Sequence, residues 1–196
     1  MIDRAKMSKT RKKRMIIALT GASGVAYGVR ILELLNEAGV ETHLVVSKAA
    51  ERTLHEETDF NIKAVKELAH TLYPVQDIGA AIASGSFLTE GMIVAPCTVK
   101  TMGEIATGIT NSLISRAADV VLKERRRLVL MVRETPLHTG HLRTMTKLSE
   151  MGAIIAPPVP AFYARPSSLD EMVTFTAGRV LDLFDIHIDG LSRWGE

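Results

Sequence analysis

Residues 15–24 read MIIALTGASG, an apolar run that ends in a glycine-containing turn. The run predicts a buried β-strand, and residues 25–38 carry apolar side chains at near-helical spacing, which predicts a helix directly after the turn. A strand, a tight turn and a helix in this order open a βαβ unit, in which parallel strands alternate with helices. This stretch therefore favours an α/β fold.

The rest of the chain repeats the alternation of apolar runs and amphipathic segments. Further apolar runs predict strands at residues 42–46, 91–95, 128–132 and 153–156. The segments between and after them predict helices at residues 48–57, about 64–72, 111–125, 139–151 and about 168–184, with Asn111 and Ser168 as N-caps. Pro96 is expected to end the strand at 91–95. The sum predicts a Rossmann-like or flavodoxin-like three-layer α/β sandwich with a mainly parallel sheet, as a single domain over residues 15–196.

Composition narrows the functional classes. The 196 residues are 46% hydrophobic and 23% charged, which is a globular composition, and its apolar surplus weakly favours an oligomer. Cys97 is the only cysteine, which excludes an internal disulfide and a cysteine-rich metal site and fits the cytoplasm. No apolar run approaches the ~18 residues of a membrane span, so no membrane segment is expected.

Basic residues cluster in residues 1–14, although the net charge is only +2. A nucleic-acid arm, a membrane-surface patch and a targeting peptide all fit such a cluster. We favour a short solvated tail, because no signal-like apolar stretch follows it. Without this tail the chain is slightly acidic, which argues against nucleic-acid binding.

Ligands of parallel sheets bind beyond the carboxyl ends of the strands, and here that edge comprises loops 20–24, 47–48, 96–101 and 133–141. In the first loop, free backbone amides and a helix N-terminus can hold a phosphate, although an ordinary tight turn explains it equally well. Its glycines at 21, 24 and 28 do not follow the dinucleotide pattern G-x-G-x-x-G.

The other loops carry polar residues with two interpretations each. Ser47 either caps its helix or contacts a ligand, and the group Thr98, Lys100 and Thr101 is either a polar rim or a capped helix start. Arg133 and Glu134 follow the strand at 128–132, where they can line a ligand site or pair with surface charges.

Outside these loops, four residues are candidates for anion binding. Arg116 and Lys123 are seven residues apart and share one helix face, which is either solvated or a ligand surface. Tyr163 lies in a proline-rich loop that can hold it over a pocket or pack it on the sheet. Arg179 lies among apolar residues, where it either snorkels or reaches a phosphate.

A metal site at His138 and His141 is rejected. No third ligand of a usual pattern lies nearby, and the glycine between the two histidines indicates a helix start. A serine-histidine-aspartate hydrolase is equally unsupported, because the G-x-S-x-G motif is absent.

Taken together, several stretches resemble one family, the UbiX-like flavin prenyltransferases. The matching segments are TGASGVAYGVR, VSKAA, EETDF, SGSF, APCTVKT, SRAADVVLKERR, LVLMVRETPLH, PPVPAFYARP and RWGE, in the expected order over nearly the whole chain. The resemblance implies transfer of a dimethylallyl group from dimethylallyl phosphate to reduced flavin mononucleotide (FMN), with closure of a fourth ring. It also implies a metal-independent homo-dodecamer built from trimers, with active sites between subunits, whose product serves UbiD-like decarboxylases.

The resemblance also assigns site residues by motif. The residues that the resemblance implies contact FMN are Gly21, Ala22, Ser23, Ser47, Thr98, Val99, Lys100, Thr101 and Arg133, with Ser23 near the flavin N5. The residues implied to bind the prenyl phosphate are Arg116, Lys123, Tyr163 and Arg179. The residues implied to be catalytic are Ser23, Glu57, Lys123, Glu134 and Trp194, and Glu57 is implied to reach a neighbouring subunit's site. Thr98 stands where many members have serine, and it keeps the hydroxyl.

Two other functions stay open. Flavin-dependent cysteine decarboxylases share the fold and flavin loop, but their active-site histidine and asparagine-methionine motif have no counterpart here. A flavin-binding chaperone for a decarboxylase is the non-enzymatic alternative. The arginine and lysine set favours the transferase, because such a cluster can stabilise a leaving phosphate as a metal does elsewhere.

Overall fold

The computed structural model of this protein describes residues 12–191 and Gly195, so residues 1–11 and the expected site residue Trp194 lie outside the described residues. Six strands form the sheet, namely β1 (Arg14–Leu19), β2 (Glu41–Val46), β3 (Thr71–Tyr73), β4 (Gly91–Cys97), β5 (Arg127–Val132) and β6 (Ala153–Ile155). All recorded pairings are parallel, and the strand order is β3-β2-β1-β4-β5-β6. This order matches that of the dinucleotide-binding sheet, which confirms the expected fold class.

Helices cover both faces of the sheet, since successive strand residues point to opposite faces and nearly all residues of β1, β2, β4 and β5 are buried. The helices are α1 (Val25–Glu37), α2 (Lys48–Glu57), α3 (Ile62–Glu67), α4 (Val99–Thr107), α5 (Leu113–Lys123), α6 (Thr139–Glu150) and α7 (Leu169–Asp182), with 3₁₀ turns at Ala81–Ala83 and Phe162–Ala164. One core lies beneath α1, α2, α3 and α7, and a second core lies beneath α4, α5 and α6. Within residues 12–191, no helix has the length and apolarity to cross a membrane.

The order of the strands creates a switch point between β1 and β4. From β1 the chain moves outward through β2 and β3, then returns to add β4 on the other side of β1. The connections on the two sides of this seam cover opposite faces of the sheet, which leaves a crevice at the carboxyl ends of β1 and β4. The turn at 20–24 and the loop at 96–101 flank this crevice.

Three details of the sequence expectation were wrong. The helix expected at 64–72 ends at Glu67, and Thr71–Tyr73 form the edge strand β3 instead. Strand β4 continues through Pro96, because after a register shift Cys97 still pairs with Val132 of β5.

The third error concerns the start of α5. Its N-cap is Ser112, not Asn111, because Ser112 and Ser115 form a reciprocal capping box. By contrast, the expected bounds of α2 and the N-cap Ser168 are confirmed. Arg14, placed in the basic tail, is the first residue of β1 and forms an ion pair with Glu41 at 3.1 Å.

Candidate functional site

Backbone hydrogen bonds join the loops at the carboxyl edge of the sheet. The amide of Ser47, just after β2, donates to the carbonyl of Leu19 at the end of β1 (3.0 Å). On the other side of the seam, the amide of Arg133 donates to the carbonyl of Cys97 (3.1 Å). The sequence expectation that these loops lie side by side therefore holds in the structure.

Thr20, directly after β1, forms hydrogen bonds to the end of β4, across the switch point of the sheet. Its hydroxyl donates to the carbonyl of Pro96 (2.6 Å) and accepts from the amide of Thr98 (2.9 Å), while its own amide reaches the Pro96 carbonyl at 3.3 Å. Sequence reasoning assigned no role to this side chain. The contact spans 76 residues, so no local pattern could have indicated it.

The turn after β1 approaches its neighbours closely. A Cβ placed on Gly21 would lie 2.4 Å from the Cβ of Ala49 in α2, so only glycine fits there. Gly24 has a φ of 94°, in the left-handed region that favours glycine. Within the described part of the chain, the backbone amides of Gly21, Ala22 and Ser23 donate no hydrogen bond. Three successive free amides form a concavity suited to electronegative ligand atoms.

Glu57 occupies the N-terminus of α1. Its carboxylate accepts from the amide of Gly24 at 2.8 Å and from that of Val25 at 3.4 Å. A carboxylate at this position satisfies orphan amides and complements the positive end of the helix dipole. The first turn of α1 therefore holds a carboxylate of its own chain, and the free amides lie in the preceding turn.

The hydroxyls at the other two loops cap helices, as one of their two interpretations expected. Ser47 accepts from the amide of Ala50 at 3.1 Å, at the start of α2. Thr98 accepts from the amide of Thr101 at 3.1 Å and donates to its hydroxyl at 3.0 Å, at the start of α4. Lys100 points outward and pairs with Glu104 at 2.6 Å. Capping fixes the orientation of these hydroxyls at the edge of the crevice.

The segment after β5 holds a feature that sequence reasoning missed. His138 caps α6, because its Nδ1 accepts from the amides of Gly140 (3.0 Å) and His141 (3.3 Å). The two imidazole rings contact each other with centroids 3.6 Å apart and planes tilted by 30°. Glu134, in the same segment, accepts from the amide of Thr135 at 3.0 Å, and Arg133 is exposed. Among the described residues, no three potential metal-binding side chains cluster.

The four candidate phosphate residues lie on opposite faces of the sheet. Arg116 and Lys123 lie on α5, which packs on the second core. Arg179 lies on α7, which packs on the first core, and the ring of Tyr163 meets that of Phe175 on the same helix edge-on at 5.7 Å. A single chain therefore does not bring these four side chains together.

Each cation of this set already has an acidic neighbour. Within the helices, Arg116 pairs with Asp119 at 2.9 Å and Arg179 pairs with Asp182. Lys123, the last residue of α5, pairs with the adjacent Glu124. The partly exposed pairs of Arg116 and Lys123 contribute little to stability and can exchange for another anion. Asp182 is nearly buried, but its partner Arg179 is half-exposed.

Comparison with known proteins identifies the family. Residues 3–181 match the sequence model of the family described as Flavoprotein. The chain is 55% identical over 185 residues to the flavin prenyltransferase UbiX of Escherichia coli K12, which covers 93% of this chain and 98% of that protein. The chain belongs to the flavin prenyltransferase family.

Two solved structures support the assignment of this chain to the flavin prenyltransferase family. AnUbiX, in complex with FMN and dimethylallyl pyrophosphate, superimposes with a TM-score of 0.93 at 47% identity, covering 95% of this chain and 99% of its own. A dodecameric FMN-dependent UbiX-like decarboxylase from Escherichia coli O157:H7 superimposes with a TM-score of 0.91 at 46% identity, covering 93% and 100%. The peptidyl-cysteine decarboxylase EpiD is more distant: it is 16% identical at a TM-score of 0.59, covering 76% of this chain and 83% of its own, and shares the fold alone.

Proposed function

We propose that this protein transfers a dimethylallyl group from a dimethylallyl phosphate to reduced FMN and forms prenylated FMN. The observation that carries the proposal is the likeness over 95% of the chain to AnUbiX, whose structure contains FMN and dimethylallyl pyrophosphate. The cysteine decarboxylases share only the fold, so the alternative chemistry has no comparable support.

The crevice between β1 and β4 is the proposed FMN site. Three free amides at residues 21–23 offer donors to electronegative atoms of the flavin, and the glycine at 21 lets the backbone approach closely. The capped starts of α2 and α4 point positive dipole ends at the same edge, where an FMN phosphate is stabilised. Ser47, the segment 98–101 and Arg133 complete this proposed shell. Reduced FMN, when bound, supplies the electron-rich ring that accepts the prenyl group.

The proposed donor site lies between copies of the chain. Arg116 and Lys123 from α5 of one copy meet Tyr163 and Arg179 of another, because a single chain separates them by the thickness of the sheet. The phosphate of the donor then replaces the acidic neighbours as partner of the cations. Charge-assisted hydrogen bonds from arginine and lysine stabilise the negative charge that grows on the leaving phosphate, a role that metal ions fill elsewhere.

The remaining assignments complete the proposal. Ser23, in the free-amide turn, is proposed to lie near the flavin N5. Either the leaving phosphate or Glu134 takes and returns protons during ring closure. Glu57, whose carboxylate holds the start of α1 in its own chain, is proposed to contribute to a neighbouring subunit's site. Glu134 and Trp194 are proposed to complete the pocket. The protein assembles as a homo-oligomer, with a dodecamer as the proposed form. It acts in the cytoplasm and delivers its product to a UbiD-like decarboxylase.

The test is mass spectrometry of reduced FMN incubated anaerobically with the purified protein and either dimethylallyl monophosphate or diphosphate. We expect a flavin that has gained one five-carbon prenyl unit, with no partner protein added, and an unchanged yield in excess chelator. A reaction without donor is the control. Unmodified flavin with both donors would exclude the transferase, and product only in the presence of a decarboxylase would favour the chaperone alternative.

A further inference from the structure

Thr20 is a buried hydroxyl placed between the two loops of the proposed FMN site. The residue is only 2% exposed, and its hydroxyl both donates and accepts a hydrogen bond. The hydroxyl donates a hydrogen bond to the Pro96 carbonyl at 2.6 Å and accepts one from the Thr98 amide at 2.9 Å. One side-chain atom therefore connects the segment after β1 to the segment after β4.

The hydroxyl reinforces the sheet where the regular pairing between β1 and β4 ends. Pairing between β1 and β4 is recorded only as far as Ala18 and Val94. Proline at 96 has no amide to donate, and the register of β4 shifts between Val94 and Cys97. Beyond Val94, one backbone bond continues this seam, from the amide of Thr20 to the carbonyl of Pro96 at 3.3 Å, while the flanking seams continue to Ser47 and Arg133 at 3.0 and 3.1 Å. The Thr20 hydroxyl adds two shorter bonds across the same seam, including one to the Thr98 amide.

The two segments that Thr20 joins begin the helices that face the crevice. Thr98 is the N-cap of α4, and the turn at 21–24 leads into α1. We propose that Thr20 is a positioning residue for FMN: its hydroxyl sets the separation of the 21–24 and 98–101 loops before the flavin binds. This inference rests on the proposed function. Loops held in advance bind a ligand more tightly because less ordering is needed on binding.

Two substitutions separate the hydroxyl from the methyl group. Thr20→Val keeps the shape and removes the hydroxyl, which leaves the Thr98 amide without an acceptor. Thr20→Ser keeps the hydroxyl and removes the methyl group. Thr89→Val is the matched control, because Thr89 is also a buried threonine, before β4, and its hydroxyl has no partner within the described structure.

We expect Thr20→Val to raise the Kd for FMN about tenfold or more and to change the absorption spectrum of the bound flavin. Thr20→Ser should restore both to within about threefold of the starting protein, and Thr89→Val should leave both unchanged. Normal FMN binding by Thr20→Val would overturn the inference, as would a serine variant as weak as the valine variant. A starting protein that binds no FMN would instead refute the proposed function itself.

Hydrogen exchange tests the same inference without a variant, should Thr20→Val fail to fold. In the FMN-free protein, the peptide containing residues 96–101 should exchange the Thr98 amide as slowly as the amides of β4. Slow exchange supports a loop that is set in advance. Fast exchange that slows only when FMN is added would overturn the inference, because the flavin would then order the loop.

Discussion

At the scale of single residues, His43 is a titratable side chain buried in the sheet. It is 3% exposed on β2, with its Nδ1 3.0 Å from the Tyr73 hydroxyl and its Nε2 3.1 Å from the Glu41 carboxylate. Burial lowers the pKa of His43 from its ordinary value of 6.5, although the Glu41 carboxylate opposes this shift. The folded protein therefore favours the neutral imidazole.

Stability should therefore decrease as the pH falls below about 6.5. In this range His43 becomes protonated in the unfolded chain but stays neutral in the folded chain. The free energy of unfolding therefore falls with pH, by at most about 1.4 kcal/mol per pH unit. Denaturant titrations from about pH 5 to 7.5 should show that His43→Gln flattens this dependence. The exposed His55→Gln is the control. An unchanged slope in His43→Gln would contradict the assignment.

A second prediction at this scale concerns the donor phosphate. Arg179→Ala and Tyr163→Phe should weaken use of the prenyl donor while they spare FMN binding, because neither side chain lies at the crevice. Loss of a charged partner should reduce donor-dependent turnover roughly tenfold to a hundredfold, and loss of the neutral tyrosine donor less. Kinetics and FMN titration on the same preparations measure both effects.

The control for this pair is Lys63→Ala, which removes another exposed, ion-paired cation, on α3. Its turnover and flavin affinity should match those of the starting protein. If both test variants used the donor normally, or lost flavin and donor together, the phosphate assignment would be wrong.

At the scale of secondary-structure elements, the start of α5 gives a discriminating test. Ser112→Ala removes one half of the capping box with Ser115 and should lower the free energy of unfolding by about 1 kcal/mol. For a chain of this length that corresponds to a melting temperature lower by roughly 2–4 °C. Asn111→Ala, one residue earlier, should change it little. Equal losses in both variants would contradict the observed cap.

The elements that the sequence predicted correctly are those with strong local signals. Long apolar runs marked five strands, and serine marked the starts of α2 and α7, because burial and capping act over a few residues. Strand β3 was missed because it has three residues and lies at the sheet edge, where only its pairing with β2 defines it. The N-cap of α5 was misplaced because asparagine and serine are equally good caps, and the partner Ser115 decides between them.

The geometry of the candidate site was predictable only in outline. Parallel topology placed loops 20–24, 47–48, 96–101 and 133–141 at one edge, and the structure joins them there. The contacts that decide their function are long-range, such as Glu57 on the amide of Gly24, 33 residues away. Local periodicity carries no information on such contacts, so the use of Glu57 at α1 could not be read from the sequence.

At the scale of the whole molecule, the separation of the candidate phosphate residues is the main constraint. Lys123 and Arg179 lie on helices that cover opposite faces of a buried sheet. If both contact one phosphate, they come from different chains of a homo-oligomer. Light scattering should accordingly report an assembly larger than a dimer, and a monomer at working concentration would contradict it.

Complementation between inactive variants tests this arrangement directly. Lys123→Ala and Arg179→Ala should each lose most donor-dependent activity as homo-oligomers. When the two are co-expressed in equal amounts, about one quarter of the sites should combine an intact Lys123 from one chain with an intact Arg179 from another. Activity should therefore recover to about one quarter of the starting level, since the other sites lack at least one cation.

The outcome separates shared sites from sites built within one chain. A site that takes both residues from one chain cannot recover, because every chain in the mixture carries one of the two defects. Co-expression of the double variant with the starting protein sharpens the comparison: shared sites predict about one quarter of full activity, and single-chain sites predict about one half. FMN titration of each mixture should show unchanged flavin binding, so that any loss of turnover reflects the donor site. Absence of recovery in mixed oligomers with normal flavin content would show that the two cations do not meet across subunits.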